Sequence, residues 1–386
     1  MTNWDIEYLK LCRRILAEGI EVENRTGINT VKIPSYDFTL DIKDVFPILT
    51  TKQMFYRQAI IEMLWIWQMG SNDVRDLHER NVHIWDEWMV DEDGIYRIYE
   101  PTGEYDPNKE VEVIDPLSVP VSDPFGLRHE FKPKLDNEGK IMTARSLIEG
   151  KTIKAAKYFG KEYAYTIGTA YGYVVNKYEH TRNLIDTLKK NPTDRRIVKS
   201  LWQDELLRTA VLPSCVWSTM WDVTDGKLNL SVIQRSCDVP LGLPFNVTQY
   251  ATLLSMIAKQ TDLEPGQIKY LIKDAHIYVN QISGILTQLE RQEKFERMSR
   301  LSVLDLQALS EIINLKMSLP SITDEEKQIL DNELRMIDMI LNPTTPELHL
   351  ADVEDFFHYD NSKELRDIKV KKYKHMGKIR FPIAQW

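Results

Sequence analysis

The apolar positions of the chain change period several times, and each change predicts an element. Near the N-terminus Tyr8, Leu9, Leu11, Cys12, Ile15 and Leu16 fall on one helical face, and Gly19 marks a stop. From Thr30 to Leu40 the pattern becomes strand-like. A second helix is expected over roughly 52–68, rich in Met, Ile, Leu and Trp, with a single acid, Glu62, inside the apolar run. Residues 228–236 read as a strand and 248–260 as a buried helix. Further on, Thr323-Asp-Glu-Glu326 has the form of a capping box that opens an amphipathic helix through Ile329, Leu330, Leu334 and Ile337.

Two stretches differ in texture. Residues about 91–165 are acidic and punctuated by turn signals (Pro101-Thr-Gly, Asp106-Pro-Asn, Asp136-Asn-Glu-Gly) between short strand-like runs. Residues about 286–342 are charged and helical. Both are expected to be insertions, one β-rich and one a helical hairpin, on a single catalytic domain spanning 1–386.

Composition narrows the classes of function. The net charge is −9, from 49 Lys+Arg against 58 Asp+Glu, which argues against a nucleic-acid polymer as partner. A single phosphate remains possible, because a few converging arginines can bind it locally. The three cysteines, Cys12, Cys215 and Cys237, show no CxxC spacing and point to a reducing compartment. No metal-ligand spacing is visible among the eight histidines. The acidic start Met1-Thr-Asn-Trp-Asp is unlike a signal peptide, and Met63–Trp67 is too short to span a bilayer. A cytoplasmic protein without a membrane partner is expected.

The chemistry-bearing residues concentrate in a few motifs. Gln234-Arg-Ser-Cys-Asp-Val-Pro-Leu-Gly-Leu-Pro-Phe-Asn246 is the longest, and Leu212-Pro-Ser-Cys215 lies upstream of it. Around them stand Asn24-Arg-Thr-Gly27, Phe46-Pro-Ile-Leu-Thr-Thr-Lys52, Glu62-Met-Leu-Trp65 and Ile84-Trp-Asp-Glu-Trp88. Ala170-Tyr-Gly172, Pro192-Thr-Asp-Arg-Arg196 and Asp274-Ala-His-Ile-Tyr278 complete the set. Taken alone, Cys215 reads as a small buried residue and Glu62 as an acid emerging at a helix surface. Together, and in this order, the motifs resemble the thymidylate synthase family across the chain less its two insertions.

That resemblance implies an α+β fold, a large mixed β-sheet packed by helices and set against its twin in a homodimer. It implies folate-dependent transfer of a one-carbon unit to C5 of dUMP, with 5,10-methylenetetrahydrofolate as cosubstrate. Cys215 would add to C6 of uracil as a thiolate, its ionisation helped by Arg235. A buried Glu62 with a raised pKa would move protons. Arg25, Arg195, Arg196 and Arg235 correspond to the family's phosphate set, with Arg195 and Arg196 reaching across the dimer interface. Gln234, Ser236 and Asp238 belong to the nucleotide signature. Asn246 would accept from uracil N3–H and donate to O4, where cytidylate enzymes of the family carry aspartate. His276 and Tyr278, two apart on a strand and so on one face, correspond to the pair that holds the deoxyribose hydroxyl. Trp85, Trp88, Asp238 and Gly242 fall on the folate side.

Three positions depart from the synthase pattern. Val216 stands where synthases carry histidine after the nucleophile, Tyr173-Val-Val-Asn176 replaces a Gln-Trp-Arg run, and the chain ends in Gln385-Trp386 instead of a short aliphatic tail. The first two departures also occur in phage nucleotide hydroxymethylases. They favour 5-hydroxymethyl-dUMP as product, while retained Trp85 and Trp88 favour thymidylate. A catalytically silent homologue is a third reading, opposed by intact Cys215, Glu62 and Asn246.

Overall fold

The computed structural model describes residues 1–24, 26–100 and 104–383. Arg25, the Pro101-Thr-Gly turn signal and the terminal Ala384-Gln385-Trp386 lie outside the described residues. The first apolar stripe forms helix α1 (Asn3–Glu18), which buries Trp4, Tyr8, Leu11, Cys12 and Ile15. Thr2 and Asp5 cap it reciprocally, at 3.2 and 2.8 Å. The buried Asp5 carboxylate also accepts from the backbone N–H groups of Thr50 and Thr51, at 2.7 and 3.1 Å, which pins the Phe46–Lys52 motif to the helix. α1 stops at Gly19 through crowding and not through a left-handed turn, since a Cβ there would meet the Ile15 carbonyl and the Val31 side chain.

Seven strands form the main sheet: β1 (Ile20–Val22), β2 (Thr30–Asp41), β3 (Val198–Ser200), β4 (Val216–Thr224), β5 (Lys227–Gln234), β6 (Cys237–Asp238) and β7 (Glu264–Tyr278). Their order is β1-β2-β7-β5-β4-β3, with β6 also paired to β7. The β5–β7 and β6–β7 pairs are parallel and the others antiparallel, so the sheet is mixed and the chain is α+β. Along β5 buried and half-buried positions alternate at every residue, which places one face under helices and leaves the other open.

Helices α2 (Tyr56–Trp67) and α3 (Gly242–Gln260) pack on each other, and α3 also packs on the sheet. α2 starts later than its apolar run suggests, because the residues before it make other bonds: Lys52 Nζ donates to the Pro240 carbonyl at 2.5 Å and Met54 N to the Tyr373 hydroxyl at 2.8 Å. α3 starts six residues earlier than expected. Pro244 occupies its first turn, where no backbone N–H is needed, so Asn246 sits in the helix and not in a turn.

Two satellite regions surround this core. Strands Ile95–Tyr99, Val111–Asp115, Lys132–Pro133, Thr143–Ala144 and Ile153–Tyr158 form a separate sheet over a small core of Ile95, Val113, Ala144, Ile153 and Ala156. The second region has three helices and not the two of a hairpin: Ile282–Met298, Val303–Met317 and Asp324–Leu341. The first of them places Ile285 in the main core, while Met298, Leu306, Ile313, Met336 and Ile337 make a cluster of their own. The Thr323–Glu326 capping box is formed. Leu330, Leu334 and Ile337 face that cluster, whereas Ile329 points outward, 52% exposed. Among the described residues no helix is long and apolar enough to cross a membrane.

Candidate active site

Glu62 lies on the α2 face that meets α3. Its neighbours Ile61 and Met63 are buried, and the Glu62 side chain itself keeps only part of its surface open. The carboxylate is held by two donors, Trp85 Nε1 at 2.8 Å and Gln249 Nε2 at 2.5 Å. Burial raises its pKa from 4.5 to about 7, although both hydrogen bonds pull the other way. An acid poised there can both give and take a proton at neutral pH.

Gln249 lies one helical turn beyond Asn246 and connects it to Glu62. Asn246 Nδ2 donates to Gln249 Oε1 at 3.1 Å, and Gln234 Nε2 donates to Asn246 Oδ1 at 2.9 Å. A carboxylate can only accept, so Glu62 turns the Gln249 amide, which in turn fixes the orientation of the Asn246 amide. Each end of that amide keeps one unused position: a second N–H and a second oxygen lone pair. Gln234, at the end of β5, is 1% exposed, and its own Oε1 has no partner within the described residues.

Arg235 follows Gln234 and brings the relay to Cys215. Its backbone N–H donates to the Cys215 carbonyl at 2.9 Å. The guanidinium donates to the carbonyls of Ser214 at 3.1 Å and Pro213 at 2.6 Å, and Nη2 lies 3.8 Å from Cys215 Sγ. The Cys215 backbone N–H donates to the Tyr171 hydroxyl at 2.9 Å. Tyr171, held at a positive φ of 45°, also meets the Trp85 ring edge to face at 5.5 Å. The contacts therefore close a circuit through Trp85, Glu62, Gln249, Asn246, Gln234, Arg235, Cys215 and Tyr171. Cys12 and Cys237 are buried thiols with raised pKa values, which leaves Cys215 as the half-exposed one.

Comparison with known proteins decides which family built this circuit. The family profile described as "Thymidylate synthase" matches residues 6–324. A thymidylate synthase of Clostridium beijerinckii is 36% identical over 292 residues, covering 76% of this chain and 84% of the relative. One from Leuconostoc mesenteroides is 34% identical over 303 residues, covering 75% and 87%. The solved thermostable thymidylate synthase A of Bacillus subtilis superimposes with a TM-score of 0.62 at 26% identity, covering 99% of both chains. The chain belongs to the thymidylate synthase family.

Of the remaining described site residues of this thymidylate synthase family member, Ser236, Asp238, Gly242, His276 and Tyr278 follow the circuit in sequence or pair with its strands, with one exception. Ser236 donates to Asp274 Oδ2 at 3.1 Å, and Lys32 pairs with Asp274 Oδ1 at 2.7 Å. His276 and Tyr278 share a face of β7 and meet edge to face at 5.2 Å. β6 pairs Asp238 with His276 in register. The Asp238 carboxylate accepts from Leu241 N at 3.1 Å and Gln281 Nε2 at 3.2 Å, and burial raises its pKa. Gly242 lies between Asp238 and Asn246. The exception is the pair Arg195 and Arg196, which is exposed and apart from these groups in the single chain, with Arg196 held by Asp194 at 2.8 Å.

Trp85 and Trp88 meet at 5.5 Å, and the buried Trp88 indole N–H has no partner within the described residues. The two indoles offer flat faces and one buried N–H donor to a ring system that stacks on them. Gln281, which holds Asp238, also donates to the Pro382 carbonyl at 3.1 Å, so the C-terminal segment reaches the edge of this site.

Gln249 and Gln281 were not singled out from the sequence, and Tyr171 only as part of the Ala170-Tyr-Gly172 motif, without a role of its own. Gln249 alone had a readable signal, being a polar residue three positions after Asn246 in an apolar helix. Val216 is only 2% exposed, so its side chain belongs to the sheet core. No metal spacing is legible in the sequence, yet the fold brings His78, His83 and Asp86 together, with both rings bonded to Asp86 at 2.7 and 3.1 Å.

Proposed function

We propose that this protein transfers a one-carbon unit from 5,10-methylenetetrahydrofolate to C5 of dUMP, and that water completes the reaction to give 5-hydroxymethyl-dUMP and tetrahydrofolate. The observation that carries the transfer is the closed circuit joining Cys215 to Glu62 through the Asn246 amide. Cys215 adds to C6 and makes C5 nucleophilic, with the Arg235 guanidinium 3.8 Å from its sulfur. Uracil N3–H and O4 take the two unused positions of the Asn246 amide, an arrangement that cytosine cannot match. Glu62 exchanges protons with the base. Arg235 and Ser236 bind the phosphate, with Arg25 of the same chain and Arg195 and Arg196 of a second copy. His276 and Tyr278 hold the deoxyribose. The folate, lying against Trp85, Trp88, Asp238 and Gly242, supplies the one-carbon unit.

A homodimer is supported by the open face of the sheet. Val198, Met220, Ser231 and Lys269 stand in one cross-strand row, and Val198 and Met220 are each 44% exposed. Burial of that face would bring the exposed Arg195 and Arg196 to a partner.

The product turns on one water. Val216 contributes only to the sheet core, so no imidazole follows the nucleophile into the site. A specific observation favours the second product, thymidylate: Trp85 donates to Glu62 and Trp88 packs against Trp85, so the two rings can help exclude water from the exocyclic methylene on C5. Incubation with dUMP and methylenetetrahydrofolate separates the two. A nucleotide heavier by formaldehyde, with no absorbance rise from dihydrofolate, is expected. Stoichiometric dihydrofolate with thymidylate would overturn the hydroxymethyl product and leave the transfer itself intact.

A further inference from the structure

The β-rich insertion does not stand clear of the catalytic core. A cavity of about 380 Å³ lies between them, lined from the insertion by Phe125, Phe131 and Lys157 and from the core by Trp202, Arg235 and Ser236. Two contacts tie that wall to the core, and a third links the first of them to Arg235. Phe125 packs against Trp202, with ring centres 6.4 Å apart. The Arg235 guanidinium lies 5.7 Å from the same Trp202 ring centre, within cation–π range. Arg208, seven residues before Cys215, donates to the insertion carbonyls of Val119 at 2.9 Å and Leu117 at 3.3 Å. The insertion is thereby tied to the guanidinium that faces the nucleophile and to the segment that carries it.

The chemistry of the cavity is that of an anion site. Arg235, Arg208 and Lys157 contribute cations, and Lys157 Nζ lies 5.6 Å from the Phe131 ring centre. The one carboxylate among the lining residues, Asp274, is already paired with Lys32. Aromatic rings border these groups, and cations set side by side in a concave site suit a compact dianion.

We propose that the insertion is a working part of the nucleotide site: its Phe125–Lys157 wall encloses the phosphate monoester end, and Phe125, acting through Trp202, is a positioning residue for Arg235. This rests on the assignment of Arg235 and Ser236 to phosphate made above. Without the Phe125 ring, the Trp202 indole keeps its bond to Asp204 at 3.1 Å but loses its packing on one side, and the guanidinium, still bonded to the Ser214 and Pro213 carbonyls, rests on a less constrained ring. Phosphate affinity and thiol reactivity should then fall together, because one guanidinium serves both.

The test uses the full chain with Phe125→Ala, Phe125→Tyr and Arg208→Gln. Phe125 is 45% exposed, so its truncation removes a ring contact and not core packing. Binding of dUMP and of inorganic phosphate is measured by calorimetry, and Cys215 reactivity by its alkylation rate with iodoacetamide. Phe125→Ala should weaken both ligands about tenfold, as expected for loss of one charge-assisted hydrogen bond, and should slow alkylation. Phe125→Tyr should restore both, and Arg208→Gln should act like the alanine variant. If the alanine and glutamine variants bind both ligands within about twofold of wild type, the wall has no such role. Absence of wild-type turnover combined with phosphate binding sensitive to Phe125 would overturn the assigned reaction and leave the wall standing.

Discussion

Replacing Glu62 by glutamine tests the buried acid through stability as well as through turnover. In the folded protein the carboxyl titrates at about 7 against 4.5 for the free side chain, because burial disfavours its charge. Between those values the folded state binds more protons than the unfolded state, so stability falls as pH rises from about 4.5 to 7 and is level above. At about 1.4 kcal/mol per pH unit, the span amounts to roughly 3 kcal/mol, and the part of Glu62 open to the cleft brings the expected figure nearer 2. Glutamine carries no charge and removes this slope. It keeps an acceptor for Trp85 but sets an NH₂ group against that of Gln249, so the Gln249 amide must turn over or lose its bond. That cost is the same at every pH, and the informative quantity is therefore the change in the difference between the two proteins. Urea unfolding of both at pH 5 and pH 8, at one protein concentration, should show glutamine gaining on wild type by about 2 kcal/mol at the higher pH. Turnover should fall by a factor of about 10² to 10⁴. A stability difference that is the same at both pH values would show that Glu62 is not a buried acid with a raised pKa.

Three further substitutions probe the circuit at other points. Cys215→Ala should abolish turnover while dUMP still binds, and retention of a tenth of wild-type turnover, about 1.4 kcal/mol in barrier, would exclude the thiol as nucleophile. Asn246→Asp removes the donor to both Gln249 and uracil O4. It should lower kcat/KM for dUMP by roughly tenfold to a hundredfold and raise the relative rate with dCMP, and an unchanged preference would show that Asn246 does not read the base. Gly172→Ala would drive a Cβ into the Ser71 carbonyl next to Tyr171. A loss of about 1–3 kcal/mol in urea unfolding is expected, together with altered Cys215 alkylation, and wild-type values of both would contradict the close approach.

Most of the core elements were legible in the sequence because local physics alone specifies them. The periodicity of Tyr8 to Leu16 requires a helix, and the Thr323–Glu326 capping box forms from four consecutive residues. The motif residues were legible only as a set: taken alone Cys215 read as a small buried residue and Glu62 as a surface acid, and it was the order of the motifs, through their resemblance to the family, that singled out Cys215, Arg235 and Asn246. Boundaries were less so: α3 begins at Gly242 because Pro244 tolerates a first turn, and α2 waits until Tyr56 because Lys52 and Met54 bond elsewhere.

What the tertiary structure decided are the relations between distant segments. Nothing local tells Gln249 that its partner is Glu62, a residue 187 positions away, or tells Tyr171 that its hydroxyl meets the Cys215 backbone. Those contacts exist because α2 packs on α3 and on the short helix that follows Tyr171, and because β4, which follows Cys215, pairs with β5, and such packing depends on the whole apolar inventory and not on any window of it. The same holds for the insertion. Its turn-rich texture announced a separate β region, but only the folded chain sets Phe125 against Trp202 and so beside Arg235. Sequence names the reactive groups, since their chemistry is intrinsic. Which of them share a proton, a charge or a wall follows from long-range packing, where burial and distance set the energies.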